Sequence, residues 1–218
     1  MNLENHVNPV EMYFRLPRIY PLTDTQISGL SHAEQVELLI LGGATLIQLR
    51  EKHSPAMQFY EGAVAAVQQS EAQLIINDRV DIAMAIGAQG VHLGQDDLPP
   101  EAARKLLGNE AIIGYSTHNI EQAQQALTLP IDYIAIGPIF ETASKSDTSP
   151  TLGLEGLQAV RKVVGNFPLV AIGGISLANA RPVIEAGADC VAVISALLSD
   201  PARITDATRT LLQSLRQT

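Results

Sequence analysis

The 218-residue chain is 46% hydrophobic and 17% charged, lacks Trp and carries a net charge of −9, so it can bury one large core built from Ala, Leu, Ile and Val. The acidic balance argues against nucleic acid or an anionic membrane as the main partner, though not against a local basic pocket for a phosphorylated ligand. A single cysteine, Cys190, excludes an internal disulfide and fits a reducing cytoplasm, and no apolar run reaches the roughly 18 residues of a membrane span. The start, MNLENHVNPVEMYF, lacks the basic head and apolar centre of a signal peptide. Residues 1–17 are expected to form a flexible extension ahead of one domain over 18–218, since no linker or composition shift divides the rest.

The first strand is expected over residues 18–23, with Pro21 as a warning because proline removes a ladder donor. Ser31 with Glu34 makes a capping box for a helix that runs to Gly42-Gly43. A strand over 46–49, a helix over 55–69 and a strand over 74–76 follow. A short helix over 80–86 stops at Gly87. The fourth strand spans 90–93 and its helix starts near Pro99. The fifth spans 112–115, and Asn119 caps the next helix. A strand over 133–136 leads into a polar loop over 137–153, and a helix over 154–164 comes next. Then come a strand over 169–172, a helix over 177–186, a strand over 190–194 and a last helix over 201–215. The strands are short, apolar and without alternation, as in a parallel sheet covered on both faces. Three tripeptides, Gly43-Ala44-Thr45, Gly87-Ala88-Gln89 and Gly187-Ala188-Asp189, each link a helix to a strand. Eight such units imply a (β/α)8 TIM barrel, with an open doubly wound sheet as the alternative.

In such a barrel the chemistry sits at the C-terminal ends of the strands. Those ends carry Gln48, Arg50 and Lys52; Asn77 and Asp78; Gln95 and Asp97; Ser116 and His118; Thr142, Ser144 and Lys145; Gly173-Gly174; and Ile194-Ser195. The third and fourth strands are parallel neighbours, so Asp78 and an acid of the Asp96-Asp97 pair face one space, and two hard carboxylates there suit Mg2+. The residues alone do not separate Asp96 from Asp97, and Asp78 has a second reading as a helix cap. Arg50 and Lys52 flank Glu51, so both cations share one side of an extended segment and suit a phosphate. Lys145 is the single cation of the loop over 140–153. The turns at Gly173-Gly174 and Ile194-Ser195 offer backbone N–H groups to an anion, or are plain tight turns. His92 reads as structural, and His6, His32 and His53 as surface residues. Cys190 reads as a buried small hydrophobe.

Seven segments in this order resemble the thiamine-phosphate synthase family: QLREK at 48–52, INDRVDIA at 76–83, GVHLGQDD at 90–97, GYSTH at 114–118, DYIAIGPIFET at 132–142, AIGGI at 171–175 and GADCVAVISAL at 187–197. The resemblance implies a TIM barrel that joins 4-amino-2-methyl-5-hydroxymethylpyrimidine diphosphate to 4-methyl-5-(2-phosphooxyethyl)thiazole, giving thiamine monophosphate and pyrophosphate with Mg2+. It further implies that Asp78 and Asp97 bind the metal. Gln48, Leu49, Arg50, Glu51, Lys52, Asn77, Ser116 and Lys145 would bind the pyrimidine diphosphate. Thr142, Ala143, Ser144, Gly174, Ile194 and Ser195 would hold the thiazole phosphate. Arg50, Lys52, Lys145 and Ser116 are the expected catalytic set. The partners are small molecules, the expected compartment is the cytoplasm, and the oligomeric state, homo-oligomers included, stays open.

The chain departs from the family in two places. Glu141-Thr142-Ala143-Ser144-Lys145 replaces a PTxTK pattern, and Cys190 replaces a glycine. The thiazole tautomerases of the same superfamily tend to lose the metal acids and to carry His where Pro138 stands here. A non-catalytic thiamine-phosphate-binding protein would have no use for the full acidic and cationic set.

Overall fold

The computed structural model describes residues 15–142 and 150–216. The expected extension over 1–17 therefore lies almost wholly outside the described residues, as does the centre of the loop over 140–153. Eight parallel strands lie in the order β1-β8-β7-β6-β5-β4-β3-β2: β1 Ile19–Pro21, β2 Leu46–Leu49, β3 Gln73–Asn77, β4 Gly90–Leu93, β5 Ile112–Thr117, β6 Tyr133–Ile136, β7 Leu169–Ile172 and β8 Cys190–Val193. A parallel bridge between Leu22 and Gln48 brings the two ends of the sheet together, so the fold is a nearly closed barrel with helices between the strands. No helix of the described residues is long and apolar enough to cross a membrane.

The outer ring consists of α2 His32–Leu41, α3 Ala56–Gln69, α4 Val80–Ile86, α5 Pro100–Leu107, α6 Ile120–Ala126, α7 Gly153–Val164, α8 Ala180–Glu185 and α10 Ile204–Leu215. The expected starts hold where a side chain supplies them. Ser31 and Glu34 form the reciprocal capping box, and Asn119 accepts from the Gln122 N–H at 2.8 Å. Two short helices escape the apolar pattern, α1 Thr25–Ser28 and α9 Ser195–Leu198, because four residues are too few to show a period. β5 runs two residues beyond its expected end, which makes Ser116 and Thr117 part of the strand.

Pro21 is tolerated for a geometric reason. Leu22 N–H donates to Val193 of β8 and Thr23 N–H donates to Gln48 of β2, so the donor that Pro21 lacks would point at the sparsely bonded β1–β2 seam. The barrel interior holds Tyr20, Leu46, Ile75, Ile112, Tyr133, Val170 and Cys190, while a larger cluster fills the space between sheet and helices. Tyr133 fits inside because β5 gives way: a Cβ on Gly114 would fall 2.0 Å from Tyr133 Cζ.

At the end of the barrel opposite the strand C-termini, two clamps repeat. Arg104 of α5 donates to the carbonyls of Gly108 and Pro130 and to the carboxylate of Asp132, which also accepts from Ile113 N–H at the start of β5. Arg161 of α7 does the same with Gly165, Gly187 and Asp189, and Asp189 accepts from Leu169 N–H of β7. Beside the β1–β2 seam, His32 is buried rather than at the surface. Its Nδ1 is 2.7 Å from Thr23 Oγ1, its Nε2 is 3.6 Å from Glu51, and its ring packs on Phe59.

Burial lowers the pKa of His32, with Glu51 opposing. Burial would raise Glu51, but the His53 and Ser54 N–H groups and the Thr25 hydroxyl together hold it down to about 2. Both depressed values mean that the unfolded chain binds more protons. Stability is therefore expected to fall as pH drops below about 6.5, the unfolded value for His, and to fall again below about 4.3, that for Glu. Urea midpoints from pH 8 to 2.5 check this, and His32→Gln should flatten the upper step. A Gly114→Ala substitution overpacks the barrel against Tyr133 and should cost about 3 kcal/mol. An unchanged urea midpoint would contradict that packing.

Candidate active site

The end of β2 sorts its side chains by alternation. Gln48, Arg50 and Lys52 line a cavity of about 1000 Å³ at the C-terminal mouth of the barrel. Leu49 and Glu51, expected beside them as substrate contacts, face away from it. Leu49 is fully buried in the cluster under the helices, and Glu51 is occupied by Thr25, His53, Ser54 and His32. Arg50 is fixed from behind. Its N–H donates to Thr23 Oγ1 at 3.3 Å, and its guanidinium donates to the buried carboxylate of Asp24. Asp24 in turn caps α1 by accepting from Gln26 and Ile27 N–H groups. The sequence reading missed Asp24, although an Asp directly after the first strand is a cap signal.

Asp78 leaves β3 with φ +62°, the only non-glycine positive φ among the described residues, a conformation Asp tolerates better than most. Its N–H donates to the His92 carbonyl at 2.8 Å. Its carboxylate does not cap α4, whose first turn has no side-chain cap; it pairs instead with the Lys52 ammonium. Asp97 accepts from Gly94 N–H at 2.7 Å, which closes the turn after β4. Burial raises the Asp97 pKa and the nearby Asp78 adds to this, against the Gly94 N–H and Lys52. Asp97 and Asp78 thus share one electrostatic space, while Asp96 stands exposed on the rim. That distinguishes the two adjacent acids, which the sequence alone could not do.

Deeper in, the cavity wall carries Asn77, His92, Ser116 and His118. Two buried side-chain atoms there have no hydrogen-bond partner among the described residues, the acceptor Gln48 Oε1 and the donor Asn77 Nδ2. His92, expected to be structural, is within hydrogen-bond reach of Ser116 Oγ at 2.9 Å through Nε2, and His118 Nδ1–H donates to the Gly137 carbonyl at 2.7 Å.

The opposite wall is made by Thr142, Gly173-Gly174 and Ile194-Ser195. Gly174 sits at φ +64°, and a Cβ there would lie 2.5 Å from the Glu141 carbonyl oxygen, so glycine is required by both conformation and space. The Phe140 N–H donates to the Gly173 carbonyl at 3.0 Å, binding the segment after β6 to the turn after β7. Ser195 opens α9, where the Leu197 and Leu198 N–H groups donate to the Ile194 carbonyl at 3.1 Å, so of its first-turn donors only those of Ser195 and Ala196 have no acceptor within the helix. Ala143, Ser144 and Lys145 lie outside the described residues.

The donor set at the mouth fits a hard divalent cation. Two carboxylates converge, one of them with a raised pKa that a cation would relieve. Among the described residues no cluster of three or more acids, His or Cys assembles, so the remaining ligands would be water and substrate oxygens, as Mg2+ at phosphates commonly has.

Residues 19–197 match the family model described as thiamine monophosphate synthase. The thiamine-phosphate synthase of Chloroflexus aurantiacus is 47% identical over 186 residues, covering 84% of this chain and 85% of that one. That of Koribacter versatilis is 47% identical over 196 residues, covering 86% and 92%. Thiamine phosphate pyrophosphorylase from Pyrococcus furiosus shares the fold with a TM-score of 0.81 at 35% identity, covering 92% of this chain and 96% of that chain. By sequence and fold together the chain belongs to the thiamine monophosphate synthase family, and its activity is that of a thiamine-phosphate synthase, a transferase.

Proposed function

We propose that the enzyme joins 4-amino-2-methyl-5-hydroxymethylpyrimidine diphosphate to 4-methyl-5-(2-phosphooxyethyl)thiazole, releasing pyrophosphate, as a Mg2+-dependent cytoplasmic enzyme. The observation that carries this reading is a mouth of mixed charge above a neutral polar floor. Arg50, Lys52, Asp78 and Asp97 line the rim, and the buried Gln48 Oε1 and Asn77 Nδ2 below have no partner among the described residues. An anionic leaving group suits the rim, and an aminopyrimidine, which offers both N–H donors and ring acceptors, suits the floor.

In this reading Asp78 and Asp97 hold the metal, which when bound neutralises diphosphate charge. Arg50 and Lys52, with Lys145 from the loop after β6, meet the remaining charge and do so most strongly as the methylene C–O bond breaks and its electron pair leaves with the diphosphate. Lys52 exchanges its pairing with Asp78 for the substrate anion. The Asp24 carboxylate keeps Arg50 aimed inward throughout. The thiazole nitrogen lone pair then forms the new C–N bond and needs no general base, which accounts for a wall of hydrogen-bond donors rather than a catalytic dyad. Thr142, Ser144, Gly174 and the Ile194-Ser195 turn hold the thiazole phosphate, so that the two rings are kept in reacting contact.

Pyrophosphate release with both substrates present tests the proposal, and no Mg2+-dependent release would overturn it. Asp78→Ala and Asp97→Ala should each lower kcat by about a hundredfold or more with an unchanged circular-dichroism spectrum. Full activity of either variant at limiting Mg2+ would remove that residue from the metal site. Asp24→Asn keeps the size of the side chain but weakens the hold on Arg50; kcat/KM for the pyrimidine diphosphate should fall about tenfold, with the KM for the thiazole phosphate unchanged.

A further inference from the structure

Five side chains from five strands form one continuous hydrogen-bonded line through the barrel. Gln48 Nε2 of β2 donates to Tyr20 Oη of β1 at 3.0 Å, and Tyr20 Oη lies 3.0 Å from Tyr133 Oη of β6. Tyr133 Oη lies 3.0 Å from His92 Nδ1 of β4, and His92 Nε2 lies 2.9 Å from Ser116 Oγ of β5. Gln48, Tyr20, Tyr133 and His92 are all buried, and the two tyrosine rings meet edge-on while His92 stacks on Tyr133. Both end residues, Gln48 and Ser116, line the cavity, and Gln48 Oε1 is itself buried with no hydrogen-bond partner among the described residues.

A line of single-proton groups has a direction, and one end sets it. The Gln48 amide N–H already occupies the Tyr20 oxygen, so the one Tyr20 proton goes to Tyr133. Tyr133 then accepts from Tyr20 and gives its own proton to His92 Nδ1. A neutral imidazole has one N–H, which is left on Nε2 and donated to Ser116 Oγ. Ser116 keeps its hydroxyl proton for the cavity. Burial holds both phenols well above their ordinary pKa, so the line orients protons without ionising. In the reverse direction Ser116 would spend its proton on His92 and turn a lone pair toward the cavity, where an anion would be repelled. A diphosphate has only acceptors to offer at neutral pH, so only the first direction serves it.

We infer that Gln48, Tyr20, Tyr133 and His92 form a directional relay that fixes His92 in the Nε2–H tautomer and thereby commits Ser116 as a hydrogen-bond donor to the departing diphosphate. This rests on the reading of Ser116 as a diphosphate contact. Tyr20, Tyr133 and His92 are then positioning residues, since none of them needs to touch the substrate. The relay also links the two ends of the pyrimidine diphosphate site: the amide orientation that gives the Gln48 N–H to Tyr20 and leaves Gln48 Oε1 unpartnered among the described residues is the one that makes Ser116 a donor.

Nitrogen-15 NMR of histidine-labelled full-length protein, with the His92 signal identified by its loss in His92→Gln, reads the tautomer directly. A protonated Nε2 and bare Nδ1 are expected; a protonated Nδ1 overturns the relay. Tyr133→Phe keeps the ring but removes the proton, and should lose the tautomer bias and lower kcat about tenfold, with the thiazole phosphate KM unchanged. A merely structural Tyr133 would shift the urea midpoint and leave both readouts in place. His92→Gln retains an amide donor for Ser116 and should keep most of kcat, whereas His92→Phe should not; equal losses would count against the relay. Ser116→Ala separates the two readings. Full activity of that variant sinks the diphosphate contact while the tautomer still decides the relay, and if both hold, Tyr133→Phe should cost nothing further in the Ser116→Ala background. Should Tyr133→Phe fail to fold, Tyr20→Phe read by the same signal takes its place: it is expected to weaken the bias, and an unchanged tautomer and kcat would exclude Tyr20 from the line.

Discussion

One bridge, Leu22 against Gln48, turns a curled parallel sheet into a barrel, and the active-site wall depends on it. Parallel strands leave no edge unpaired only if the two edge strands meet, and here β1 and β2 meet at Gln48, which lines the cavity. The same contact sets the direction of the chain leaving β2. Thr23 N–H holds the Gln48 carbonyl at 2.9 Å while Thr23 Oγ1 accepts from Arg50, so the cations emerge at the mouth with a fixed alternation. On the outer side, Thr23 meets His32, which in turn lies beside Glu51. Closure of the barrel and orientation of the cationic segment are thus one event in the packing.

Both described cations at the mouth are paired within the protein before any ligand arrives. Lys52 faces Asp78, and Arg50 faces Asp24. The two pairs differ in what they permit. Asp24 is buried and engaged by two helix N–H groups, so its hold on Arg50 is a fixed support. Lys52 and Asp78 are both partly exposed, so their pairing is weak enough to be exchanged for stronger partners, a metal for the acid and an anion for the amine. A site that handles a highly charged leaving group needs both kinds: one cation that stays aimed and one that can be released.

Much of the fold could be read from the residues because buried parallel strands and glycine-terminated helices leave plain marks. β2, β4, β6 and β7 have the expected limits, and the capping box at Ser31 stands as read. What escaped was set by distance in three dimensions. His32 looked like a surface residue because nothing local reveals that Phe59 and Thr23 cover it. Leu49 and Glu51 entered the expected site because the family resemblance carries the segment 48–52 over whole, although the alternation that sets Arg50 and Lys52 on one side sets these two on the other. Asp24 and the Tyr20–Tyr133–His92 line were missed because their partners are scattered over the chain, Tyr20 and Tyr133 being 113 residues apart. Asp96 and Asp97 became distinguishable only when the Gly94 turn put one inward and left the other on the rim.

The paired arginine clamps at the far end have a consequence for how this molecule can change. Arg104 with Asp132 and Arg161 with Asp189 each bind a helix end, a loop and the start of a strand into one knot, using polar groups that never reach the cavity. Rigidity is therefore anchored at one pole and reactivity at the other, with a core of buried side chains between them. Alterations at poles that share no partners add rather than compound. Such a barrel can gain robustness at its base, or lose some, without renegotiating the fit of its substrates, and the loops of the upper pole are correspondingly free to drift toward other phosphorylated ligands.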